Sequence, residues 1–399
     1  MTAAGRPRAV IVAALGVIQI FAWGSTYYLM AVMAGPIAAD TGWSTAALSA
    51  GLSAGLLVAG LAAPAAGRLI QATGGRPVLA GGMVLFAAGL MLLAAAPNIA
   101  VYLAAWAVLG LGMAAGLYDA AFSTLGCLFG RDARAAITQL TLWGGFASTI
   151  CWPISAWLVE AAGWRGACLA YAALHLCVTL PASLLLLPRR PPVAEPAAQG
   201  AEGGGGPAPD LAGLRDLRFL CIVVAGVALS MLVTIWSTHF VTLLTAAGHS
   251  IAAAIALGTL IGPSQVAARV LEMLGRGRHH PIWTMGAASG LVFLGFLGLK
   301  LGIPASAALV AYGAGNGLFS IARGALPLTL FGPERYAQTM GRLALPMLLA
   351  SAAAPSIGAA AIALVGPGGT LALLAGAAAL PCVATLVLAL SLRGGGERA

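Results

Sequence analysis

Charge is what this sequence lacks most. Only 8% of its 399 residues are Asp, Glu, Lys or Arg, against roughly 25% in an ordinary soluble domain. With 60% hydrophobic residues and a mean hydropathy of +0.97, water cannot be the main solvent of the folded chain. The six Cys offer no C-x-x-C pair and no His neighbour, so no metal site is expected and they read as small packing residues. No cofactor is implied. Long polar stretches are scarce too. The one that stands out, Pro188 to Asp210, is rich in Pro, Gly, Ala and Glu and includes Gly203 to Gly206, a composition that cannot form a packed core and reads as a flexible linker.

What fills the rest is apolar. Runs long enough to cross about 30 Å of hydrocarbon lie at approximately 10–34, 44–66, 78–96, 99–126, 136–159 and 165–187. After the linker they resume at approximately 217–244, 250–269, 282–300, 303–330, 343–365 and 368–392. The first run is too long for a cleaved signal peptide and counts as a span. The expected architecture is all-α and polytopic, with twelve transmembrane helices in two six-helix bundles, 1–187 and 216–399, joined by a linker at 188–215. With the N-terminus taken as cytoplasmic, 17 of the 20 Arg and Lys fall on that side, only Arg165 and Lys300 fall opposite, and Arg323 lies within a span. This bias predicts a multi-pass protein of the cell's inner membrane with both termini cytoplasmic. It also explains the net charge of +9 without nucleic acid. The partners expected are lipid and a small solute, and the chain is expected to be a monomer.

The two halves repeat. At an offset of 202, Leu128-Phe129-Gly130 matches Leu330-Phe331-Gly332, Asp132 matches Glu334, Ala135 matches Ala337 and Pro153 matches Pro355. Just upstream, Gly116-Leu117-Tyr118 matches Gly317-Leu318-Phe319, and Ser25 to Tyr28 resembles Ser237 to Phe240. Their common order points to a duplicated six-helix unit.

Twelve spans in two parallel repeats, with short basic loops after the second and eighth, resemble the major facilitator superfamily. In the first such loop, Gly67-Arg68-Leu69-Ile70-Gln71-Ala72-Thr73-Gly74-Gly75-Arg76 is similar to the superfamily's G-x-x-x-D-R-x-G-R-R signature, with Gln71 where Asp is expected. In the second, Arg269, Glu272, Gly275 and Arg276 stand at matching places, with an acid present. The resemblance implies that Gly67, Arg68, Gly74, Arg76, Arg269, Glu272 and Gly275 belong to gating loops. Trp106 stands where proton-coupled drug exporters carry Arg, and the antiporter G-P-x-x-G-G pattern is missing around Pro153. The stretch Thr41-Gly42-Trp43-Ser44 is closer to bacterial relatives of the monocarboxylate porters.

A charge retained deep in a span costs at least about 2.5–3.5 kcal/mol and usually faces protein or water. Asp119 and Arg323 each lie seven residues before the inner end of their spans, roughly 10 Å deep. In the family, the first and fourth helices of each half line the central cavity. Two roles follow: the two residues pair across the halves as an inner gate, or Arg323 receives an anionic substrate while Asp119 takes a coupling proton. The plain alternatives are that Asp119 bonds a neighbouring helix along the Gly112 and Gly116 stripe, and that Arg323 snorkels to the interface. Asn316, Ser320 and Arg323 share one helical face, as do Gln19, Trp23 and Tyr27 on the first span. Those rings also suit an interfacial aromatic belt. His239 is a candidate proton carrier, half a turn from the Ser230, Thr234 and Ser237 stripe.

Two motifs are set aside. Gly51-Leu52-Ser53-Ala54-Gly55 fits G-x-S-x-G and Gly110 to Ala115 fits G-x-G-x-x-A, but both lie inside apolar helices, with no strand before them. A Ser53 hydrolase is therefore the remote reading. The expected function is not an enzyme but a secondary transporter working by alternating access, moving a small organic anion such as a monocarboxylate with a proton. Efflux of an amphipathic compound is the runner-up.

Overall fold

The computed structural model describes residues 2–3, 6–189, 216–275 and 278–396. Arg276 and nearly all of the expected linker lie outside the described residues. Among those described, the chain is helical apart from a two-residue pairing of Thr2–Ala3 with Arg6–Pro7. Eight stretches are long and apolar enough to cross a bilayer. One of them, Ile99–Leu186, contains three spans, because the chain turns back in the 3-10 turn ahead of Ala133 and again at Gly163, and Tyr336–Arg393 contains two, because it turns back at Gly366. Both glycines take a left-handed φ (69° and 73°), which a side chain would disfavour. With the first span, which is broken, the total is twelve.

Matching positions in the two halves start their helices alike. Gly42 and Gly248 have positive φ, and two residues later Ser44 and Ser250 accept from the backbone N–H of Ala47 and Ala253 at 3.2 Å. Each half also holds its own buried core, around Phe86, Tyr102, Trp106 and Tyr171 in the first and around Trp236, Phe296 and Tyr312 in the second. The fold is that of two pseudo-symmetric six-helix bundles. A third cluster draws on both halves, packing Ile11, Phe122 and Ile137 with Leu328, Tyr336 and Met340. It lies at the end of the molecule that carries the basic loops, termed here the basic end. There the second and eleventh spans touch backbone to backbone. A Cβ on Gly67 would meet the Ala337 carbonyl, and one on Gly341 would meet that of Ala63. The set-aside glycine motifs form another such contact, since Gly51 and Gly55 lie against Trp106 while Gly110 lies against the Gly55 carbonyl.

Two spans expected to be continuous are interrupted. The first breaks between Arg8–Gly24 and Met30–Thr41, where the Ser25 hydroxyl lies 2.7 Å from His175 Nε2 and the Thr26 hydroxyl donates to Ala22 O at 2.6 Å. The fourth breaks at Leu117, whose extended backbone separates Ile99–Gly116 from Tyr118–Phe129. Buried backbone groups freed by such a break need partners. Gln19 supplies one, donating from Nε2 to the Gly116 carbonyl at 2.7 Å. Hydropathy is blind to both breaks because the residues around them are as apolar as the rest.

Candidate functional site

The break in the fourth span fixes the acid. Tyr118–Phe129 begins a new helix inside the membrane, and Asp119 sits in its first turn, where the peptide dipoles favour a negative charge. Arg323, on the long helix Ala305–Phe331, donates from Nη2 to Asp119 Oδ2 at 2.6 Å. Both side chains are 16% exposed. The pair therefore joins the two halves. Asp119 Oδ1 and Arg323 Nε are buried without hydrogen-bond partners, so one carboxylate oxygen is left bare.

Arg269 occupies a different place from the gating loop expected of it. It lies on Ile261–Leu274, more than a turn before the helix end, and is only 6% exposed. Its Nε donates to Ser320 Oγ at 3.1 Å and its Nη2 reaches Gln265 Oε1 at 3.4 Å. Nη1 has no partner and lies against Gly145 of the fifth span, where any side chain would collide with it. No carboxylate is within ion-pairing distance of it among the described residues. Ser320 stands one turn from Arg323 on the same helix, so the unpaired guanidinium sits one turn away from the Asp119–Arg323 pair, on the side remote from the basic end. Asn316, a further turn along, is half-buried.

A cluster of aromatic rings from the first half includes Tyr118, whose hydroxyl lies against Gly144, next to the Gly145 that meets Arg269 Nη1. Trp23 lies 5.5 Å from Tyr27, 6.1 Å from Tyr28 and 5.1 Å from Tyr118. Tyr28 meets Trp152 edge-on at 6.1 Å. A Cβ on Gly144 would meet the Tyr118 hydroxyl and one on the adjacent Gly145 would meet Arg269 Nη1, so both side chains approach the same end of the helix Ala133–Gly145. Gln19 is fully buried and works differently from its expected place on the polar face. Besides holding the Gly116 carbonyl, it accepts from Trp23 Nε1 at 3.2 Å, which orients that ring. His239 is not brought to this site. Its Nε2 lies 2.9 Å from the Pro355 carbonyl and its ring packs against Gly358 of the eleventh span.

The remaining gating candidates lie at the basic end. Arg68 is exposed, Arg76 half-buried and Gly74 buried with φ 85°. Glu272, close to Gly275, gathers a network. Arg134 Nη2 of the first half lies 3.6 Å away, His279 Nε2 3.1 Å away, and Thr284 donates to it at 2.8 Å. Arg134 also donates to the His279 carbonyl at 2.5 Å.

Sequence reasoning did not single out the buried chain Ser25–His175–Thr179, in which His175 Nδ1 lies 2.9 Å from Thr179 Oγ1 within a π-helical turn. A hydroxyl four residues from a histidine in the sixth span was the available signal. Arg269 was noticed but placed by motif rather than by depth. Its i, i+4 partner Gln265, on the same helix, marks an inward polar face.

Residues 15–311 match the family model described as the Major Facilitator Superfamily. No curated protein matches the chain. Among solved structures, the human organic anion transporter MFSD10 (TETRAN) is similar at a TM-score of 0.70 and 17% identity, covering 95% of this chain and 100% of that one. The major facilitator transporter FucP in its outward conformation is similar at 0.75 and 12% identity, covering 97% of this chain and 99% of that one. A variant of the E. coli fucose:proton symporter FucP is similar at 0.71 and 13% identity, covering 96% and 99%. These likenesses concern the fold.

Proposed function

The chain belongs to the major facilitator superfamily, and from that premise we propose that it carries a small organic monoanion together with a proton across the cell's inner membrane. Multi-pass membrane insertion and a transporter's rather than an enzyme's role follow from the family. The substrate reading rests on one observation: Arg269 is a buried guanidinium with no carboxylate partner and an unbonded Nη1. A charge so placed is costly unless a counter-ion arrives, and an incoming carboxylate supplies one. A solved fold relative described as an organic anion transporter is consistent with this class.

In this reading Arg323 is not the anion site, because Asp119 already neutralises it. The pair is instead the inner gate, one turn beneath the substrate. Asp119 takes the coupling proton on its bare Oδ1, which weakens its hold on Arg323 and lets the halves part at the basic end. Ser320, Gln265 and Asn316 orient the carboxylate, with Ser320 and Gln265 already steering the guanidinium. The moving bodies are residues 1–187 and 216–399 of a monomer, joined through 188–215, with both termini and the basic loops in the cytoplasm.

Counterflow in proteoliposomes against carboxylates, sugars and lipophilic cations, with and without an imposed pH gradient, tests this. Carboxylates should exchange, and Arg269→Ala should weaken them about tenfold to a hundredfold, the loss of a charge-assisted contact. Transport of lipophilic cations with no carboxylate flux would instead favour export of amphipathic compounds.

A further inference from the structure

We propose that the anion is an aromatic monocarboxylate, whose ring lies on the wall formed by Trp23, Tyr27, Tyr28, Tyr118 and Trp152 while its carboxylate meets Arg269. The inference rests on the anion reading above and narrows it. Both halves of the molecule contain a cluster of edge-to-face rings, and the contrast between them is informative. In the second half, Trp236, Phe296 and Tyr312 lie 5.5–5.9 Å apart and are at most 2% exposed, so their surfaces are spent on packing. In the first half the spacings are similar, but Trp23, Tyr27 and Tyr28 are only half-buried and Trp152 is 44% exposed. Trp23, Tyr27, Tyr28 and Trp152 keep free surface, while Tyr118 stacks on Phe122 at 4.9 Å, and Arg269 is a buried cation with no counter-ion among the described residues.

The wall also limits what can bind. Its rings meet edge-on or tilted, so a further ring can add by the same geometry, with ring quadrupoles favouring an aromatic guest over a saturated one of equal size. A dianion would leave one charge buried without a partner beside a single guanidinium. Gly145 keeps the approach to Nη1 clear of side chains, since a Cβ there would occupy the space beside it.

The test is competition in proteoliposome counterflow among benzoate, cyclohexanecarboxylate and acetate, using the full chain. Benzoate should compete about fivefold to tenfold better than cyclohexanecarboxylate, which matches it in size but has no π face. Tyr28→Leu and Trp152→Leu should each bring that ratio toward one. Trp152 is exposed enough for its variant to fold if Tyr28→Leu does not. Equal competition by the two six-membered rings, or a ratio unmoved in the variants, overturns the aromatic class and leaves the anion reading intact. Failure of all three acids to compete, with Arg269→Ala indistinguishable from wild type, removes both.

Discussion

Asp119 and Arg323 are 204 residues apart in the chain and 2.6 Å apart in space, so the matching helix of each half contributes one partner of an ion pair across the two halves. Neutralising either one alone leaves the other charge buried, which costs about 3–5 kcal/mol in a dry pair. With 16% exposure on each side, the cost here should lie at or below the lower end. Asp119→Asn or Arg323→Gln should therefore lower the thermal midpoint in detergent clearly, while the double variant recovers most of it. A double variant no better than the worse single one would refute the coupling.

Gln19 donates to the Gly116 carbonyl that the break at Leu117 strips of its helical partner. Gln19→Leu leaves that carbonyl buried and unsatisfied, a cost of about 1–3 kcal/mol. It should also loosen Trp23, which the same amide holds. Unfolding in detergent reads the first effect, and quenching of Trp fluorescence in Gln19→Leu reads the second.

Gly67 and Gly341 let the second and eleventh spans touch at the basic end. Gly67→Val places two methyls against the Ala337 carbonyl and should prevent that end from closing. Maleimide labelling of a cysteine introduced at Ala337 should become faster in Gly67→Val, with net transport reduced. An unchanged labelling rate would show that this contact does not limit closure.

At the opposite end, Asp40 accepts from Arg165 and from Trp164 Nε1 at 3.0 Å, tying the first span to the turn at Gly163. Arg165, then Trp164, hold the Asp40 carboxyl below its ordinary range. A carboxylate depressed in the folded state adds stability that is complete above its unfolded value near 4, and that is lost as pH falls through its lower folded value. The group is exposed, so the effect should be small. Melting curves between pH 3 and 6 should show a slightly shallower acid limb in Asp40→Asn than in wild type.

Much of this was legible in the residues. Spans from hydropathy, the duplicated unit from Leu128-Phe129-Gly130 and Leu330-Phe331-Gly332, and the depth of Asp119 and Arg323 all follow from local composition and order. Arg269 was misplaced because a loop motif was followed instead of helix length, and His239 because a stripe on one helix does not say which neighbour it faces. The breaks at Ser25 and Leu117 escaped notice for a different reason, since their hydrogen bonds come from His175 and Gln19 on other helices.

Lipid as the solvent, the number of crossings and the twofold plan were settled by the sequence alone, because each depends on transfer of local segments out of water. Which cation is neutralised and which is left without a counter-ion was settled only by the tertiary structure. Arg323 and Arg269 are equally basic as residues, and a carboxylate from another helix reaches the one and not the other.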